Sequence, residues 1–366
     1  MAQHNNYCII MAGGIGSRFW PMSRNSQPKQ FLDILDTGRT FLQQTFERFA
    51  KIIPRENILI VTGAIYKDLV LEQIPGINPE QVLLEPLRRN TAPCIAYATY
   101  KIQQKNPNAT MMVAPSDHLI LNEVEFLQVI QNGLKWASDG KDLVTLGIKP
   151  TRPETNYGYI QVNVADRQAG NIQSAYRVKT FTEKPNAELA KVFVESGEFF
   201  WNSGIFIWHI QTIQQALKQH LPDMASIFEN GKDYYYTPEE AAFIQKTYSE
   251  CPNISIDYGV MEKASNVYMF SANVGWSDLG TWQSLYSQQL KDQYQNVVDT
   301  QNNMLYEVAN SLVVCKDKEK LIVLRGLDNY LVVDTDNVLL ICPKNEEEGF
   351  KQIIKDIDLK KDDRYI

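Results

Sequence analysis

An apolar run, Tyr7-Cys-Ile-Ile-Met11, breaks directly into Ala12-Gly-Gly-Ile-Gly-Ser-Arg18. A short buried strand that ends in glycines lets the backbone turn sharply and bring its amides close to a bound polyphosphate. Apolar runs of similar length recur at Ile58–Thr62, at Thr110–Ala114 before Pro115-Ser116-Asp117, and at Leu143–Gly147. Between them Phe41–Ala50 and Lys67–Gln73 read as helices. A third helix is capped by Asn90 or Thr91, carries Pro93 in its first turn and continues towards Ile102. Strands and helices that alternate with short connections predict an α/β fold with an open, mostly parallel sheet covered on both faces. Ligands of such sheets lie beyond the carboxyl ends of the strands. The Ala12–Arg18 loop and Asp117 both follow strands, so both belong to that edge.

Beyond about Leu285 the texture changes. Val297–Val298, Leu312–Val314, Leu321–Leu324, Tyr330–Val333 and Val338–Ile341 are short β-rich runs. Asn302-Asn303, Asp328-Asn329 and Asp336-Asn337 punctuate them as turns. The expected organisation is a catalytic domain over 1–285 and a small β-rich domain, sandwich or short β-helix, over 286–366. The runs repeat too loosely to specify a solenoid. Glu346–Leu359 is expected to form a terminal amphipathic helix.

The glycine-rich loop has several readings. It is not a Walker A loop, because no Gly-Lys-Ser/Thr follows. Phe19 stands where a dinucleotide fingerprint has its third glycine, which argues against a Rossmann oxidoreductase. A plain strand-to-loop turn fits the glycines equally well. The neighbouring cations favour a triphosphate: Arg18 ends the loop, and Lys29 follows in Pro28-Lys29-Gln30-Phe31. A net charge of -7 on 366 residues speaks against sequence-independent nucleic-acid binding. The five cysteines are scattered without CxxC spacing and the four histidines without HExxH, so disulfides and zinc are not expected. The run from Tyr7 to Ala12 is too short for a signal peptide or a membrane span, which favours the cytoplasm.

Gly13-Gly-Ile-Gly-Ser-Arg18-Phe-Trp-Pro-Met-Ser-Arg24 with Pro28-Lys29-Gln30 resembles the opening signature of the sugar-nucleotide pyrophosphorylases. Further segments resemble the mannose-1-phosphate guanylyltransferases among them: Glu85-Pro-Leu-Arg-Arg-Asn-Thr-Ala-Pro93, Ala114-Pro-Ser-Asp-His-Leu119 and Phe181-Thr-Glu-Lys-Pro185, then Trp201-Asn-Ser-Gly-Ile-Phe206, Ser255-Ile-Asp-Tyr-Gly-Val-Met-Glu262 and Gly275-Trp-Ser-Asp-Leu-Gly-Thr-Trp282. Arg88, Cys94 and Thr182 depart from the usual glycine, alanine and valine. None of these removes a charged group that the chemistry needs.

The resemblance implies a Rossmann-like nucleotidyltransferase domain, with GTP and mannose 1-phosphate as substrates and GDP-mannose and pyrophosphate as products. It implies Mg2+ shared by Asp117 and Asp278, with Arg18, Lys29 and Lys184 as the catalytic cations. Ala12, Gly13, Gly14, Gly16, Ser17, Glu85, Asn90, Thr91, Pro93 and Ser116 are implied for the nucleotide. Gly158, Tyr159, Glu183, Lys184, Asn202 and Tyr258 are implied for the sugar, with Glu262 on the same side. Trp201, Trp276 and Trp282 read as core or pocket walls. The expected partner is a second copy of the chain, with no nucleic acid and no membrane. A relative acting on glucose 1-phosphate and a non-catalytic sugar-nucleotide sensor are the competing readings; the presence of Arg18, Lys29, Asp117 and Asp278 together favours an enzyme.

Overall fold

The computed structural model describes residues 5–169, 174–346, 349–360 and 363–366. Its contacts divide into two compact units, one of residues 1–13 and 42–276, the other of residues 14–41 and 277–366. The glycine-rich segment beyond Gly13 therefore groups with the C-terminal region.

The first unit is built on one mixed sheet. Its strands are β1 (Asn6–Met11), β2 (Ile58–Gly63), β3 (Val82–Glu85), β4 (Thr110–Pro115), β6 (Leu143–Ile148), β7 (Gly158–Ala169), β8 (Ser174–Glu183), β9 (Phe199–His209) and β10 (Val267–Ala272); the two-residue β5 (Leu119–Ile120), between β4 and β6 in the chain, lies outside it. The nine-stranded order is β3-β2-β1-β4-β9-β6-β10-β8-β7, with β7 also pairing β9. All of these run in one direction except β8 and β9, which are antiparallel to their neighbours.

The helices are α1 (Phe41–Ala50), α2 (Lys67–Gln73), α3 (Thr91–Lys105), α4 (Glu123–Ala137), α5 (Ala187–Ser196), α6 (Ile210–His220), α7 (Pro222–Glu229) and α8 (Glu240–Glu250). The central strands are mostly apolar on both sides because both faces are covered. Ile9, Leu59, Val61, Met111 and Val113 join the core formed with α3, α6, α7 and α8. Cys8, Ile10, Ile58, Ile60 and Met112 point the other way by strand alternation and are also buried. On that second face α4 sets Gly133 against Ile207 and Val144, and α1 joins α4 through Phe49–Phe126 and the Arg48–Glu123 ion pair. Each fully buried Val, Leu, Ile, Met or Phe among these contributes roughly 1.5–3 kcal/mol. Cys8, Cys94, Cys251 and Cys315 are buried thiols.

In the second unit α9 (Trp282–Gln288) starts with a capping box between Thr281 and Ser284. After β11 (Trp276–Ser277) the strands are β12 (Val297–Asp299), β13 (Asn303–Tyr306), β14 (Leu312–Cys315), β15 (Ile322–Arg325), β16 (Tyr330–Asp334) and β17 (Leu339–Pro343). β12, β14 and β16 pair in parallel, with β17 closing that sheet antiparallel, and β13 and β15 form a second parallel pair. The chain visits the two sheets alternately, so Leu312 stacks on Val297 and Leu331 on Leu312. This is the pairing of a short parallel coil.

One turn signal misplaces a strand. Asn303, expected in a turn, instead opens β13. The turn lies just before it, where Asn303 Nδ2 donates to Thr300 O and Asn302 Nδ2 to Glu319 O. The terminal helix α10 runs Phe350–Leu359; Glu347 and Glu348, within the expected span, lie outside the described residues. Among the described residues no helix is long and apolar enough to cross a membrane.

Candidate active site

The carboxyl edge of the first unit's sheet collects its loops by register. Met11 of β1 pairs with Pro115 of β4 and with Val61 of β2, and Gly63 of β2 pairs with Glu85 of β3. Ala12, Ser116 and Glu85 thus stand at one edge. Ala12 is held there by Val61 O, which accepts from its amide at 2.8 Å, and by Thr62 Oγ1, which donates to its carbonyl at 2.8 Å. Ser116 N donates to Met11 O at 3.1 Å, and Thr45 Oγ1 donates to Ser116 O at 3.0 Å. Asp117 leaves from this tied turn.

Glu85 faces the start of the glycine-rich loop. A side chain on Gly13 would begin 3.2 Å from Glu85 Oε2. Burial pushes the Glu85 carboxyl up to about 7, and a hydrogen bond from Tyr248 opposes that rise. Next along the chain, Asn90 adopts φ 67° and caps α3, its side chain accepting from Thr91 N. The start of α3 is tied to a distant segment. Thr91 Oγ1 accepts from Ile256 N at 2.9 Å, and Ala92 N donates to Ile254 O at 3.1 Å. Pro93 is buried in the first turn. The Ala92 amide is therefore already engaged, and the segment presents its side chains and the Asn90 backbone rather than a row of open amides. Arg88 reaches Tyr66 Oη at 3.2 Å.

A second group forms where β7, β8 and β9 meet the end of β6. Gly158 pairs with Glu183, Tyr159 with Trp201, and Gly147 with Asn202. A Cβ on Gly158 would lie 2.6 Å from Glu183 Oε2, the far end of that side chain, and 3.4 Å from the Asn202 Cβ, so a side chain here would displace the Glu183 carboxylate. Tyr159 itself is fully buried, its hydroxyl donating to Glu154 O at 2.9 Å. Its side chain therefore supports the floor, and only its backbone can serve a ligand. Lys184 leaves β8 at φ 45°, ahead of Pro185, with its amide on Tyr157 O at 3.2 Å. Its ammonium meets Glu183 Oε1 at 2.6 Å in a partly exposed pair. Asn202 Nδ2 donates to Asp257 Oδ1 at 2.7 Å. Tyr258 is exposed; partial desolvation first, and then the nearby Glu183, Glu262 and Asp257, raise its hydroxyl above the ordinary value. Trp201 and Trp276 are buried around Tyr157, with centroids 5.2 Å from it in each case, and act as walls.

The second unit positions the remaining residues. Gly16, at φ 59°, packs so closely that a Cβ would lie 2.6 Å from that of Lys29. Gln30 Nε2 donates to Gly14 O at 2.9 Å and Ser23 Oγ to Ile15 O at 2.9 Å, which fixes the loop before Ser17 and Arg18. Lys29 is buried between the rings of Phe19 and Phe41, its ammonium 5.6 and 5.1 Å from their centroids. It donates to the Asp278 carbonyl at 2.6 Å. Asp278 sits in a tight turn: Gly280 N donates to its Oδ1 at 2.9 Å, Ser277 Oγ accepts from Leu279 N at 3.1 Å, and Leu279 has φ 42°. Trp282, fully buried against Phe19, donates to Trp20 O at 3.1 Å. Among the described residues no hydrogen bond or ion pair engages the Arg18 guanidinium.

The structure thus joins Lys29 to Asp278, Gly13 to Glu85, and Gly158, Glu183, Lys184 and Asn202 to one another. Asp117 belongs to the first unit and Asp278 to the second. Three supporting residues escaped the sequence reading: Tyr248 behind Glu85, Gln30 behind Gly14, and Asp257 behind Asn202. Gln30 and Asp257 both lie inside runs that the motifs single out, which was the available signal. Tyr248 lies in no such run.

A family model described as nucleotidyl transferase matches residues 7–295. The mannose-1-phosphate guanylyltransferase of Salmonella montevideo is 37% identical over 362 residues, covering 98% of this chain and 75% of its own length. The mannose-1-phosphate guanylyltransferase of Escherichia coli (strain K12) is 35% identical over 380 residues, covering 100% of this chain and 76% of its own. A crystal structure described as mannose-1-phosphate geranyltransferase from Thermus thermophilus superposes with a TM-score of 0.85 at 29% identity, over 97% of this chain and 99% of that one.

Proposed function

Because this chain belongs to the nucleotidyl transferase family and, within it, to the mannose-1-phosphate guanylyltransferases, we propose that it joins GTP and mannose 1-phosphate by in-line attack. A phosphate oxygen of mannose 1-phosphate bonds to the α-phosphorus of GTP. The bond from that phosphorus to the α–β bridging oxygen breaks, and pyrophosphate leaves with the electron pair. The second pKa of a phosphate monoester is about 6, so the nucleophile is already anionic at neutral pH and needs no general base. The protein's task is to bring two polyanions together and hold them in line.

The observation that carries this reading is the shared carboxyl edge of the first unit's sheet. It presents Ala12–Gly13, Glu85, Ser116–Asp117 and the Gly158–Glu183–Asn202 group from one side. Glu85, when ionised, accepts from the N–H donors of guanine. Asn90, Thr91 and Pro93 line the base and ribose, and the Ala12–Ser17 backbone approaches the phosphates. Arg18 offers its fork to the β- and γ-phosphates. Lys29 steadies the Asp278 turn and adds positive charge behind the loop. Lys184 holds the sugar phosphate while Glu183, Asn202, Tyr258 and the Gly158–Tyr159 backbone surround the sugar.

Nucleotidyltransferases of this family generally use a divalent metal ion. Two carboxylates, Asp117 and Asp278, with substrate oxygens completing the shell, suit a hard octahedral cation such as Mg2+. No group of three or more His, Cys, Asp or Glu is placed to hold a metal among the described residues, so phosphate oxygens and water would complete the coordination. When bound, Mg2+ supplies positive charge against the reacting phosphates. The reading sets the reaction in the cytoplasm, consistent with its buried thiols, and in a homodimer.

Crossing several nucleoside triphosphates with several sugar 1-phosphates, and reading pyrophosphate release with and without Mg2+, tests the proposal. GTP with mannose 1-phosphate should be turned over best, and only with a divalent ion. Preference for another pair, or turnover in excess chelator, would overturn it.

A further inference from the structure

Asn202 is the residue of the sugar group whose side chain has two ends of similar shape and opposite hydrogen-bonding character. A carboxamide presents two donors on one end and two lone pairs on the other. A site that reads a hydroxyl through it must fix which end faces the ligand. The backbone supplies one constraint. β9 bulges against β6 between Asn202 and Phe206, where the register slips between Gly147 and Thr145. Gly204, inside the bulge, has φ 68°, a conformation that glycine adopts without strain. Its amide turns back and donates to Asn202 Oδ1 at 3.0 Å. Ser203 Oγ donates to Leu146 O at 2.8 Å and pins the bulge to its neighbour.

The other constraint comes from Asp257, whose Oδ1 accepts from Asn202 Nδ2 at 2.7 Å. Reversing the carboxamide would set its oxygen against this carboxylate and its amino group against the Gly204 N–H, losing both bonds. Asp257 is itself well supported. It opens a π-helical turn, Asp257–Met261, whose Gly259, Val260 and Met261 are buried. The preceding amide, Ile256 N, is held by Thr91 Oγ1. One donor and one lone pair of Asn202 then remain for a ligand.

We propose that Asp257 is a positioning residue that locks the Asn202 carboxamide in one orientation and thereby sets which sugar 1-phosphate the pocket accepts. The inference rests on the reading of Glu183, Lys184 and Asn202 as the sugar pocket. Mannose and glucose 1-phosphates differ only in the direction of one hydroxyl. A pocket with fixed donors and acceptors separates such a pair, whereas one whose amide can turn separates them poorly.

The test uses the full chain with Asp257→Ala, Asp257→Asn, Asn202→Ala, the Asn202→Ala/Asp257→Ala double variant and Lys184→Ala, each assayed below its melting temperature. Asp257→Ala should raise the KM for mannose 1-phosphate by about tenfold and narrow the mannose-over-glucose ratio of kcat/KM by a similar factor, with the KM for GTP little changed. Asp257→Asn keeps an acceptor oxygen and should recover most of both. The double variant should lose no more than Asn202→Ala alone. Equal effects on both substrates, or additive losses in the double variant, would overturn the proposal. If Lys184→Ala raises the mannose 1-phosphate KM while Asp257→Ala does not, this inference fails and the pocket assignment stands. If neither variant does, the pocket assignment fails and this inference with it.

Discussion

Tyr248 donates a 3.0 Å hydrogen bond to Glu85 Oε1, and the other oxygen of that carboxylate points at the backbone of Gly13. A tyrosine on α8 thus sets the charge of a group at the mouth of the glycine-rich loop. Burial raises the Glu85 carboxyl to about 7, and the bond from Tyr248 is what holds it down. Guanine offers donors, so the ionised carboxylate is the binding form. kcat/KM for GTP should therefore fall as pH drops below about 7. Tyr248→Phe should move that limb to higher pH, because the charged form loses its donor. A pH–rate profile of the two proteins checks this, and an unmoved limb would remove Glu85 from base recognition.

The same shift has a consequence for stability. The folded-state pKa of Glu85 lies above the ordinary value, so its contribution to stability is fully present below that ordinary value. It is lost as pH rises through about 7. Glu85→Gln, which carries no charge at any pH, should match the parent protein near pH 4 and gain at pH 8. The gain should be on the order of 1–3 kcal/mol, because part of the side chain still reaches water. Urea denaturation at the two pH values gives the difference directly. A gain of the same size at both would mean that ionisation is not its cause.

Lys184 and Glu183 form a pair with side-chain exposures of 54% and 31%, and exposed pairs of this kind contribute about 0–1 kcal/mol. Lys184 also sits at φ 45°, a backbone conformation that costs energy outside glycine. Neither feature has a structural return. Lys184→Ala should leave the melting temperature almost unchanged while raising the KM for mannose 1-phosphate at least tenfold and that for GTP little. Steady-state kinetics in both substrates would expose an equal effect on the two, which would count against the sugar-phosphate role.

Asp278 owes its turn to backbone bonds from its own neighbours and to the ammonium of Lys29 on its carbonyl. Asp278→Asn preserves an oxygen for the Gly280 amide, so the turn should survive. Asp117→Asn is similarly conservative in shape. Each variant should fold normally and lose at least about a hundredfold in kcat at saturating Mg2+. Circular dichroism beside pyrophosphate release separates the two effects. Near-normal turnover in either variant would end its assignment to the metal.

How far the sequence revealed this depends on the range of the forces involved. β1, α1 and α2 were legible because their apolar spacing is local and their ends carry turn residues: α1 begins at Phe41 and α2 at Lys67 as the pattern requires. The start of α3 was legible because Asn90 caps it. Asn303 misled because an asparagine marks turns and strand starts alike, and only the parallel stacking on Ile322 decides between them. The glycine-rich loop could be seen, but not the reason for Gly16, which is the Lys29 side chain packed above it. Lys29 could be seen as a cation beside the loop, but not the rings of Phe19 and Phe41 that close around its ammonium. Asp257 and Tyr248 act across 55 and 163 residues of chain, respectively, distances over which no periodicity carries information.

Arg24 closes the opening motif, and its role is to bind the second unit's segments together. Its Nε donates to Pro21 O at 3.0 Å, one terminal nitrogen donates to Arg364 O at 2.8 Å, and the other donates to Thr335 Oγ1 at 3.1 Å and Asn337 Oδ1 at 2.7 Å. Close by, Trp20 Nε1 donates to Tyr365 O at 2.6 Å, and the Trp20 ring lies 6.4 Å from that of Phe350 on α10. The planar guanidinium serves three directions at once, which a single ammonium cannot do. Arg24→Lys should therefore lose most of these bonds and destabilise the protein by about 1–3 kcal/mol, since the groups left behind are only partly open to water. The loop that carries Arg18 and Lys29 belongs to the same unit, so the KM for GTP should rise while that for mannose 1-phosphate stays close to the parent value. Chemical denaturation and two-substrate kinetics on the purified variant measure both. If Arg24→Lys is as stable as the parent, the fork does not hold these segments, and any kinetic defect must arise from lost contact with the nucleotide itself.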